Sequence, residues 1–325
     1  MNKLSNFWVN LKKPIICLAP MADVTDSAFR FIISKYSKSS KIVNFVTYTE
    51  FVSADGLVLA PEEGRKKLLK NLEYSEIERP IVAQLFTSRP EMMEKASRFV
   101  MELGFDGIDI NMGCPDKNIQ KQGAGAALIK DPKLAREIIL ATKRGVKGKI
   151  PVSIKTRLGY SKDELETWLP ELLVENPEAV IIHARTKKEM SKVPAKWERI
   201  KKAVEIRNET EQKTLIIGNG DVQDIADAKQ KCAETGADGV MLGRAIFGNP
   251  WLFADYEPTL KERLEVLVEH TKLFEEKFSG IKSFDIMKKH FREYLKGPEL
   301  RDLRFKLMRA KNSKEVEELI FNFGN

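Results

Sequence analysis

Short apolar runs alternate with longer stretches of helical periodicity through the first three quarters of the chain. Several runs are apolar at almost every position, which is typical of parallel strands buried on both faces. Eight runs are predicted to be strands: Ile15–Ala19, Ile42–Thr47, Ile81–Leu85, Gly107–Ile110, Val152–Thr156, Ala179–His183, Thr214–Gly218 and Gly239–Leu242. Because each leaves room for a following helix, the pattern predicts an α/β fold, a closed (β/α)₈ TIM barrel over residues 1–255. A doubly wound open sheet is the alternative.

Candidate N-cap residues precede several of the predicted helices. Asp26 and Asp131 each precede a segment of helical periodicity and are expected to cap it with their carboxylates. After the seventh strand, either Asp221 or Asp224 can be the cap. The caps therefore agree with the alternation of strands and helices.

The pattern changes after Tyr256, where strands disappear and helical periodicity takes over. Four helices are predicted: Leu260–Phe278, Phe284–Leu295, Glu299–Met308 and Lys314–Phe321. They indicate a second domain over residues 256–325, a small all-α bundle behind the barrel. Between Lys282 and Lys311 there are ten Lys and Arg against four Asp and Glu, so positive charge is clustered there. A solvated helix face and a surface for a polyanion both remain open interpretations.

Composition narrows the function classes. The chain has 325 residues, 42% of them hydrophobic, and its net charge of +8 permits a nucleic-acid partner. No apolar run approaches the roughly 20 residues that a membrane helix needs, so a cytoplasmic protein is expected. Cys17, Cys114 and Cys232 stand far apart and there are only three histidines, so neither a disulfide framework nor a metal site is expected.

Polar, ionisable or glycine residues follow most of the predicted strands. In a parallel barrel these strand ends meet at one face, where active sites form. The residues are Ala19–Ala22, Gln84, Asn111–Pro115, Lys155 with Arg157, His183 with Arg185, Gly218–Asp221 and Gly243–Arg244. After the last two strands, the glycines and Arg244 indicate a phosphate site, because free N–H groups there can point at an anion.

Three side chains carry the candidate chemistry. Cys114 lies in a loop between Gly113 and Pro115, where packing gives no reason for a thiol, so it is a candidate general acid or nucleophile. Lys155 lies inside an apolar strand and is expected either to form a Schiff base or to stabilise an anion. His183 is either a ligand-binding group or a buried, satisfied imidazole.

A series of motifs runs along the barrel. They are Ala19–Asp26 with Phe29–Arg30, Asn111–Pro115 with Gln122–Ala126, Ile154–Gly159, His183–Thr186 with Trp197, Ile217–Asp221, and Asp238–Ala245 with Gly248–Trp251. Together they resemble the tRNA-dihydrouridine synthase family. Met287–His290 and Tyr294–Gly297 are most similar to its bacterial B-type members. The chain departs from the family at Asp23, where glycine is usual, and at Ala184, where glycine is frequent.

The resemblance implies FMN across the barrel mouth, with NADPH, or NADH, as the reductant. It assigns Pro20, Met21 and Ala22 to the flavin surface, and Gln84 and Lys155 to the polar ring edge. The ribityl phosphate would be held by the imidazole and two turns, namely His183, Asn219, Gly220, Asp221, Gly243 and Arg244. Lys155 then stabilises charge rather than forming a Schiff base.

The implied reaction is reduction of a uridine in tRNA to 5,6-dihydrouridine. The base must leave its stack to enter the pocket. Hydride passes from reduced FMN to C6, and Cys114 supplies the proton to C5. Asn111, Arg157 and Arg185 are the expected substrate-binding residues, and the basic tail is expected to contact tRNA phosphates. A monomer is expected.

Three other functions remain open from the sequence. Another FMN barrel enzyme, such as a dihydroorotate or ene reductase, would act on a free small molecule and would not need the basic tail. A barrel lyase would use Lys155 as a Schiff base and would be colourless. A non-catalytic RNA-binding protein would not need Cys114.

Overall fold

The computed structural model describes residues 6–38, 45–254 and 256–324. Its strands are β1 Ile15–Leu18, β2 Phe45–Tyr48, β3 Val52–Ser53, β4 Ile81–Phe86, β5 Gly107–Asn111, β6 Val152–Arg157, β7 Ala179–His183, β8 Leu215–Asn219 and β9 Gly239–Leu242. Neighbouring strands pair in parallel, and β2 pairs with both β1 and β4 while β9 pairs with β1. The sheet therefore closes into a barrel of eight strands, as predicted, and the open-sheet alternative is wrong.

The second barrel strand differs from its predicted bounds. The expected strand Ile42–Thr47 begins at residues 42–44, which lie outside the described residues, and β2 runs on to Tyr48. The short strand β3 pairs with Leu85 and Phe86 of β4, on the side of β4 that β2 occupies. It therefore continues the path of the second strand after a break at residues 49–51.

Helices fill the connections between the strands. They are α1 Ser27–Lys38, α2 Ala54–Leu59, α3 Glu62–Asn71, α4 Pro90–Glu102, α5 Lys117–Lys121, α6 Pro132–Val146, α7 Leu165–Leu173, α8 Trp197–Asn208 and α9 Ile225–Thr235. Asp26 Oδ1 accepts hydrogen bonds from the N–H groups of Ala28 and Phe29, each 3.0 Å long, which confirms this predicted cap. Asp131 caps α6, and Asp224, not Asp221, caps α9.

The chain continues as helices after the barrel. They are α10 Leu260–Phe278, α11 Lys288–Tyr294, α12 Arg301–Leu307 and α13 Ser313–Gly324, with 3₁₀ turns at Phe284–Met287 and Pro298–Leu300. Thr259 and Glu262 form a capping box at the start of α10. The helical tail is thus confirmed. The predicted domain boundary falls beside residue 255, which lies outside the described part of the chain.

Barrel and tail share one hydrophobic core. Ile16 and Leu18 of β1 face outward and pack in the same cluster as Leu267 of α10 and Phe291 of α11. The alternate residues Ile15 and Cys17 face the barrel interior. Removing the tail would therefore expose the outer face of β1.

Among the described residues, none of the helices has both the length and the apolar character that crossing a membrane requires.

Candidate active site

A cleft of about 300 Å³ opens at the carboxyl ends of the strands. Its lining includes every residue to which the sequence assigned a catalytic, cofactor-binding or substrate-binding role except Ala22, which is exposed in the turn after β1. The lining residues are Ala19, Pro20, Met21, Phe51, Gln84, Asn111, Gly113, Cys114, Pro115, Lys155, Arg157, His183, Arg185, Ser191, Asn219, Gly220, Asp221, Val222, Met241, Gly243 and Arg244. The structure therefore brings residues from the ends of all eight barrel strands into one space.

The cysteine loop is held from both sides. Asn111 Oδ1 accepts hydrogen bonds from the N–H groups of Gly113, at 3.2 Å, and Cys114, at 2.9 Å. Arg157 Nε donates to the Gly113 carbonyl at 2.7 Å. A Cβ at Gly113 would lie 3.3 Å from the backbone of Thr156, a tight contact, so the close approach of loop and strand favours glycine. These bonds fix where the thiol lies.

The Cys114 thiol is half-buried. Burial raises its pKa above the ordinary value, and this outweighs the lowering effect of the nearby Arg157 and Lys155 cations. The thiol is therefore protonated at neutral pH. A group in this state can donate a proton, whereas a nucleophile would need the thiolate.

A chain of polar side chains forms one wall of the cleft. Asn111 Nδ2 donates to Gln84 Oε1 at 3.0 Å, and Gln84 Nε2 donates to Asp109 Oδ2 at 2.7 Å. Ser153 donates to the other oxygen of Asp109. Burial raises the pKa of Asp109 to about 6, leaving it mainly ionised and an acceptor at neutral pH. Asp109 therefore determines which way the Gln84 amide points.

The next strand, β6, pairs with β5 through Lys155 and Asn111, and the lining beyond it is cationic. Lys155 Nζ donates to Asn219 Oδ1 at 3.2 Å, and Asn219 Nδ2 donates to the carbonyl of Met241 at 2.8 Å. Burial, followed by repulsion from Arg157, lowers the pKa of Lys155 to about 8. The ammonium has no carboxylate partner within hydrogen-bonding distance in the described chain. Lys155 can therefore stabilise an anion in the cleft.

His183 is neutral. Burial lowers the pKa of its imidazole far below the usual range, and the charges of Lys155 and Arg157 act in the same direction. Arg185 Nη1 lies 3.1 Å from His183 Nε2. Because a guanidinium can only donate, Nε2 accepts and the ring proton is assigned to Nδ1. His183 is thus a hydrogen-bonding group rather than a charge.

The turn after β8 is built around Asp221, whose backbone is left-handed, with φ of 54°. Its carboxylate pairs with Arg185 and, at 2.6 Å, with Arg244, and it accepts the N–H of Ala195 at 2.9 Å. The preceding Gly220 has φ of 130°, and a Cβ there would lie 2.8 Å from the Cβ of Ala195. The turn therefore orients two arginines and keeps its backbone open to the cleft.

The donor set fits a flavin mononucleotide. The cleft lining carries Lys155 and three arginines, and its one carboxylate, Asp221, is already paired with two of them. A Cβ at Gly243 would meet only Ala19 and Met21, at 3.7 Å, so this backbone is accessible. A cationic, glycine-rich end suits a phosphate, and the amide of Gln84 suits a polar ring edge.

Two of the expected substrate-binding residues make structural bonds. Arg157 Nη1 donates to the carbonyls of Thr186 and Met190, at 3.2 and 3.1 Å. Arg185 Nε donates to the carbonyl of Val193 at 2.6 Å, and its side chain is only 3% exposed. Arg185 therefore serves mainly to shape the site, whereas the Nη2 group of Arg157 makes none of these bonds.

Four further residues that were not predicted from the sequence line the cleft: Phe51, Ser191, Val222 and Met241. Phe51 follows the second barrel strand, and its ring centroid lies 5.7 Å from that of Phe86. It packs in the small apolar cluster that Cys114 contacts. The strand-end rule, had it been applied to the second strand, would have found Phe51.

Solved structures that superpose on this chain include a dehydrogenase and a reductase. Histamine dehydrogenase from Rhizobium sp. 4-9 superposes with a TM-score of 0.55 and 13% identity, covering 79% of this chain and 48% of that one. A morphinone reductase mutant in complex with tetrahydroNAD superposes with a TM-score of 0.50 and 14% identity, and the match covers 77% of this chain and 90% of that one. At this identity the likeness shows the barrel fold alone.

Sequence comparison gives a closer relationship. A probable tRNA-dihydrouridine synthase of Staphylococcus aureus (strain MRSA252) is 39% identical over 324 residues, which cover 98% of this chain and 95% of that protein. Probable tRNA-dihydrouridine synthase 2 of Bacillus subtilis (strain 168) is 38% identical, with coverage of 98% and 96%. The family model described as dihydrouridine synthase matches residues 17–322. The chain therefore belongs to the dihydrouridine synthase family.

Proposed function

We propose that this protein is a cytoplasmic oxidoreductase that reduces uridines in tRNA to 5,6-dihydrouridine, with FMN in the cleft and NADPH, or NADH, as the reductant. One observation carries the proposal: the protonated thiol of Cys114 and the cationic wall around Lys155 face the same cleft. The tRNA-dihydrouridine synthases at 38–39% identity over nearly the whole chain support the substrate.

FMN, when bound, would supply the hydride for the reaction. Gln84 and Lys155 would hold its polar ring edge, and Pro20 and Met21 would line its surface. Its phosphate would be held by His183 and by the turns after β8 and β9, which contain Asn219, Gly220, Asp221, Gly243 and Arg244. Ala22, which is exposed beside Met21, would contact it only at the rim.

Cys114 would hold the proton that the uracil ring receives at C5. Its raised pKa keeps that proton on the sulfur until the carbon becomes basic enough to take it. Asn111 has one N–H left on Nδ2 after bonding to Gln84, and Arg157 has its Nη2 group. We assign these donors to the uracil carbonyls, with Arg185 holding the site around them.

The helical tail offers the RNA-binding surface. A groove between α11 and α12, here called the tail groove, is lined by Lys288, Lys289, Arg292, Arg301, Asp302, Arg304, Phe305 and Met308. Lys289 Nζ lies 3.5 Å from the carbonyl of Asp23, in the loop that follows Met21. The tail groove therefore begins at the rim of the cleft. We propose that residues 256–325 bind tRNA phosphates through it while residues 1–255 perform the chemistry.

The proposal is tested by purifying the protein with FMN, recording its visible spectrum, and assaying tRNA that lacks dihydrouridine. We expect a yellow protein that converts uridine to dihydrouridine when NADPH is added. A colourless protein after FMN supplementation, or a yellow one that leaves tRNA unchanged, would contradict the proposal. Trapping of a substrate on Lys155 by borohydride would instead favour the Schiff-base lyase.

An FMN enzyme for a free small molecule makes a different prediction about the tail. Deleting residues after Tyr256 is unsuitable as a test, because the tail shares a core with β1. Substituting the exposed Arg292 and Arg301 tests the same question without disturbing that core. Loss of activity on tRNA would favour the proposed function, and unchanged turnover would favour the small-molecule enzyme.

A further inference from the structure

The loop between β1 and α1 contains a residue in an unusual conformation. Asp23 has φ of 54°, in the left-handed region that non-glycine residues seldom adopt. Its N–H donates to Glu50 Oε1 at 2.6 Å. Glu50 follows β2 and is almost completely buried. The conformation of a loop that lines the cleft through Pro20 and Met21 is therefore fixed by a carboxylate from the next strand.

The second oxygen of Glu50 binds the helical tail. Lys282 Nζ, between α10 and α11, lies 2.7 Å from Glu50 Oε2. The two side chains are only 11% and 5% exposed. Separating such a buried pair would leave an unpaired charge away from water, so the pair strongly constrains where this part of the tail lies. One carboxylate thus connects the cleft loop to the tail.

The carboxylate of Asp23 makes weaker contacts with the same tail. Its oxygens lie 3.9 Å from Lys282 Nζ and 3.9 Å from Lys289 Nζ. Lys289 also donates to the Asp23 carbonyl and lines the tail groove. The ammonium group of Lys289 therefore stands between the cleft loop and the surface that we assign to RNA.

We propose that Asp23, Glu50, Lys282 and Lys289 form an electrostatic latch that aligns the tail groove with the cleft. They are positioning residues. Glu50 and Lys282 hold the tail against the barrel, and Asp23 orients Lys289 toward the rim. A phosphate bound in the groove would compete with Asp23 for Lys289, so RNA binding is coupled to the loop beside the cleft. This coupling rests on the proposed function, whereas the alignment does not.

Asp23→Gly tests the latch most cleanly. Glycine adopts the left-handed conformation without strain and keeps the N–H that Glu50 binds, so the variant should fold with unchanged or higher thermal stability. Asp23→Asn is the matched variant, because it tolerates the conformation but lacks the charge. Glu62→Gln, an exposed site on α3, is the control for removing a surface carboxylate.

The first readout is hydrogen–deuterium exchange of the amides of residues 279–289, measured on the FMN-supplemented full chain. We expect Asp23→Gly and Asp23→Asn to increase exchange there several-fold, while Glu62→Gln leaves it unchanged. Lys282→Met should increase exchange more, and Lys282→Arg should restore most of the protection. Unchanged exchange in both Asp23 variants and in Lys282→Met would overturn the latch, whether or not the protein acts on tRNA.

The second readout separates alignment from stability. In the Asp23 variants, we expect kcat/KM for tRNA to fall about two- to fivefold, as for loss of a partly exposed ion pair. Reduction of the flavin by NADPH should keep its wild-type rate. Equal turnover of tRNA by wild type and both variants would contradict the coupling. If wild type makes no dihydrouridine, the proposed function fails, and the exchange measurement alone decides the alignment.

Discussion

The cleft and the tail groove are both cationic, but their charges are arranged differently. In the cleft, Arg157 and Arg185 are buried and donate to carbonyls or to Asp221. In the tail groove, Lys288, Lys289 and Arg304 have partners, but the side chains of Arg292 and Arg301 are exposed and, within the described chain, make neither a hydrogen bond nor an ion pair. Charges already paired fix geometry, which chemistry requires, whereas unpaired charges attract a polyanion from solution. The difference supports the proposed division of roles, with catalysis in the cleft and RNA capture in the tail groove.

The Cys114→Ala substitution should distinguish the cleft from the tail groove most clearly. We expect dihydrouridine formation to fall about 10²- to 10⁴-fold, because the proton donor is lost, while flavin content and tRNA affinity stay near wild type. Mass spectrometry of digested tRNA measures the product. Cys232→Ala, which removes a half-buried thiol from α9, is the matched control and should retain activity. If Cys114→Ala formed as much dihydrouridine as the wild type, the thiol would not be the proton donor.

Gly220→Ala tests whether the cleft depends on its open turn. The added Cβ would lie 2.8 Å from that of Ala195, at φ of 130°, so the turn must shift. We expect FMN affinity to fall about tenfold or more, from strain of about 1–3 kcal/mol. Gly148→Ala, also left-handed but with nothing within 4 Å, controls for backbone strain alone. Fluorescence titration with FMN measures the affinity of both variants. An FMN affinity of Gly220→Ala equal to that of Gly148→Ala would show that the turn does not contact the flavin.

The charge of Lys155 predicts a pH dependence confined to the cleft. Its pKa of about 8 lies below the ordinary value for lysine, so the ammonium is lost as pH rises through about 8. We expect FMN affinity to fall about tenfold between neutral pH and pH values well above 8, as for loss of one charge-assisted bond. The Lys155→Met variant should bind FMN weakly at every pH, and its FMN affinity should not change with pH. A pH profile in the variant that matches wild type would show that another group titrates.

The smallest effects are expected in the tail groove. Arg292→Gln and Arg301→Gln should each weaken tRNA binding about two- to fivefold, since each removes one exposed phosphate contact. The dependence of log Kd on log salt should become shallower, while the visible spectrum stays unchanged. Lys314→Gln, an exposed site on α13, is the control. An unchanged salt dependence in the double variant would place the RNA elsewhere.

Sequence predicted the cleft better than it predicted the connections within it. The eight barrel strands and the strand-end residues follow from apolar runs and polar ends, which are local patterns. Cys114, Lys155 and His183 could be placed on one face because parallel strand ends meet there. Phe51 was missed because the second strand was given no site residue.

Contacts between distant segments could not be predicted. Asp221 was a candidate helix cap, but its left-handed backbone turns the carboxylate to Arg185 and Arg244 instead. Glu50 and Lys282 are separated by 232 residues, and nothing local marks them as a pair. The roles of such residues depend on how barrel and tail pack, which periodicity does not show.

We propose above that the cleft and the tail groove act on the same tRNA molecule. This proposal is tested by reducing the FMN-bound protein with NADPH, removing excess NADPH without oxygen, and mixing it with tRNA that lacks dihydrouridine or with free uridine at equal concentration. We predict that tRNA reoxidises the flavin rapidly and gains dihydrouridine, while free uridine reacts far more slowly. Equal reoxidation by both substrates, or none by tRNA, would contradict this joint action of cleft and tail groove.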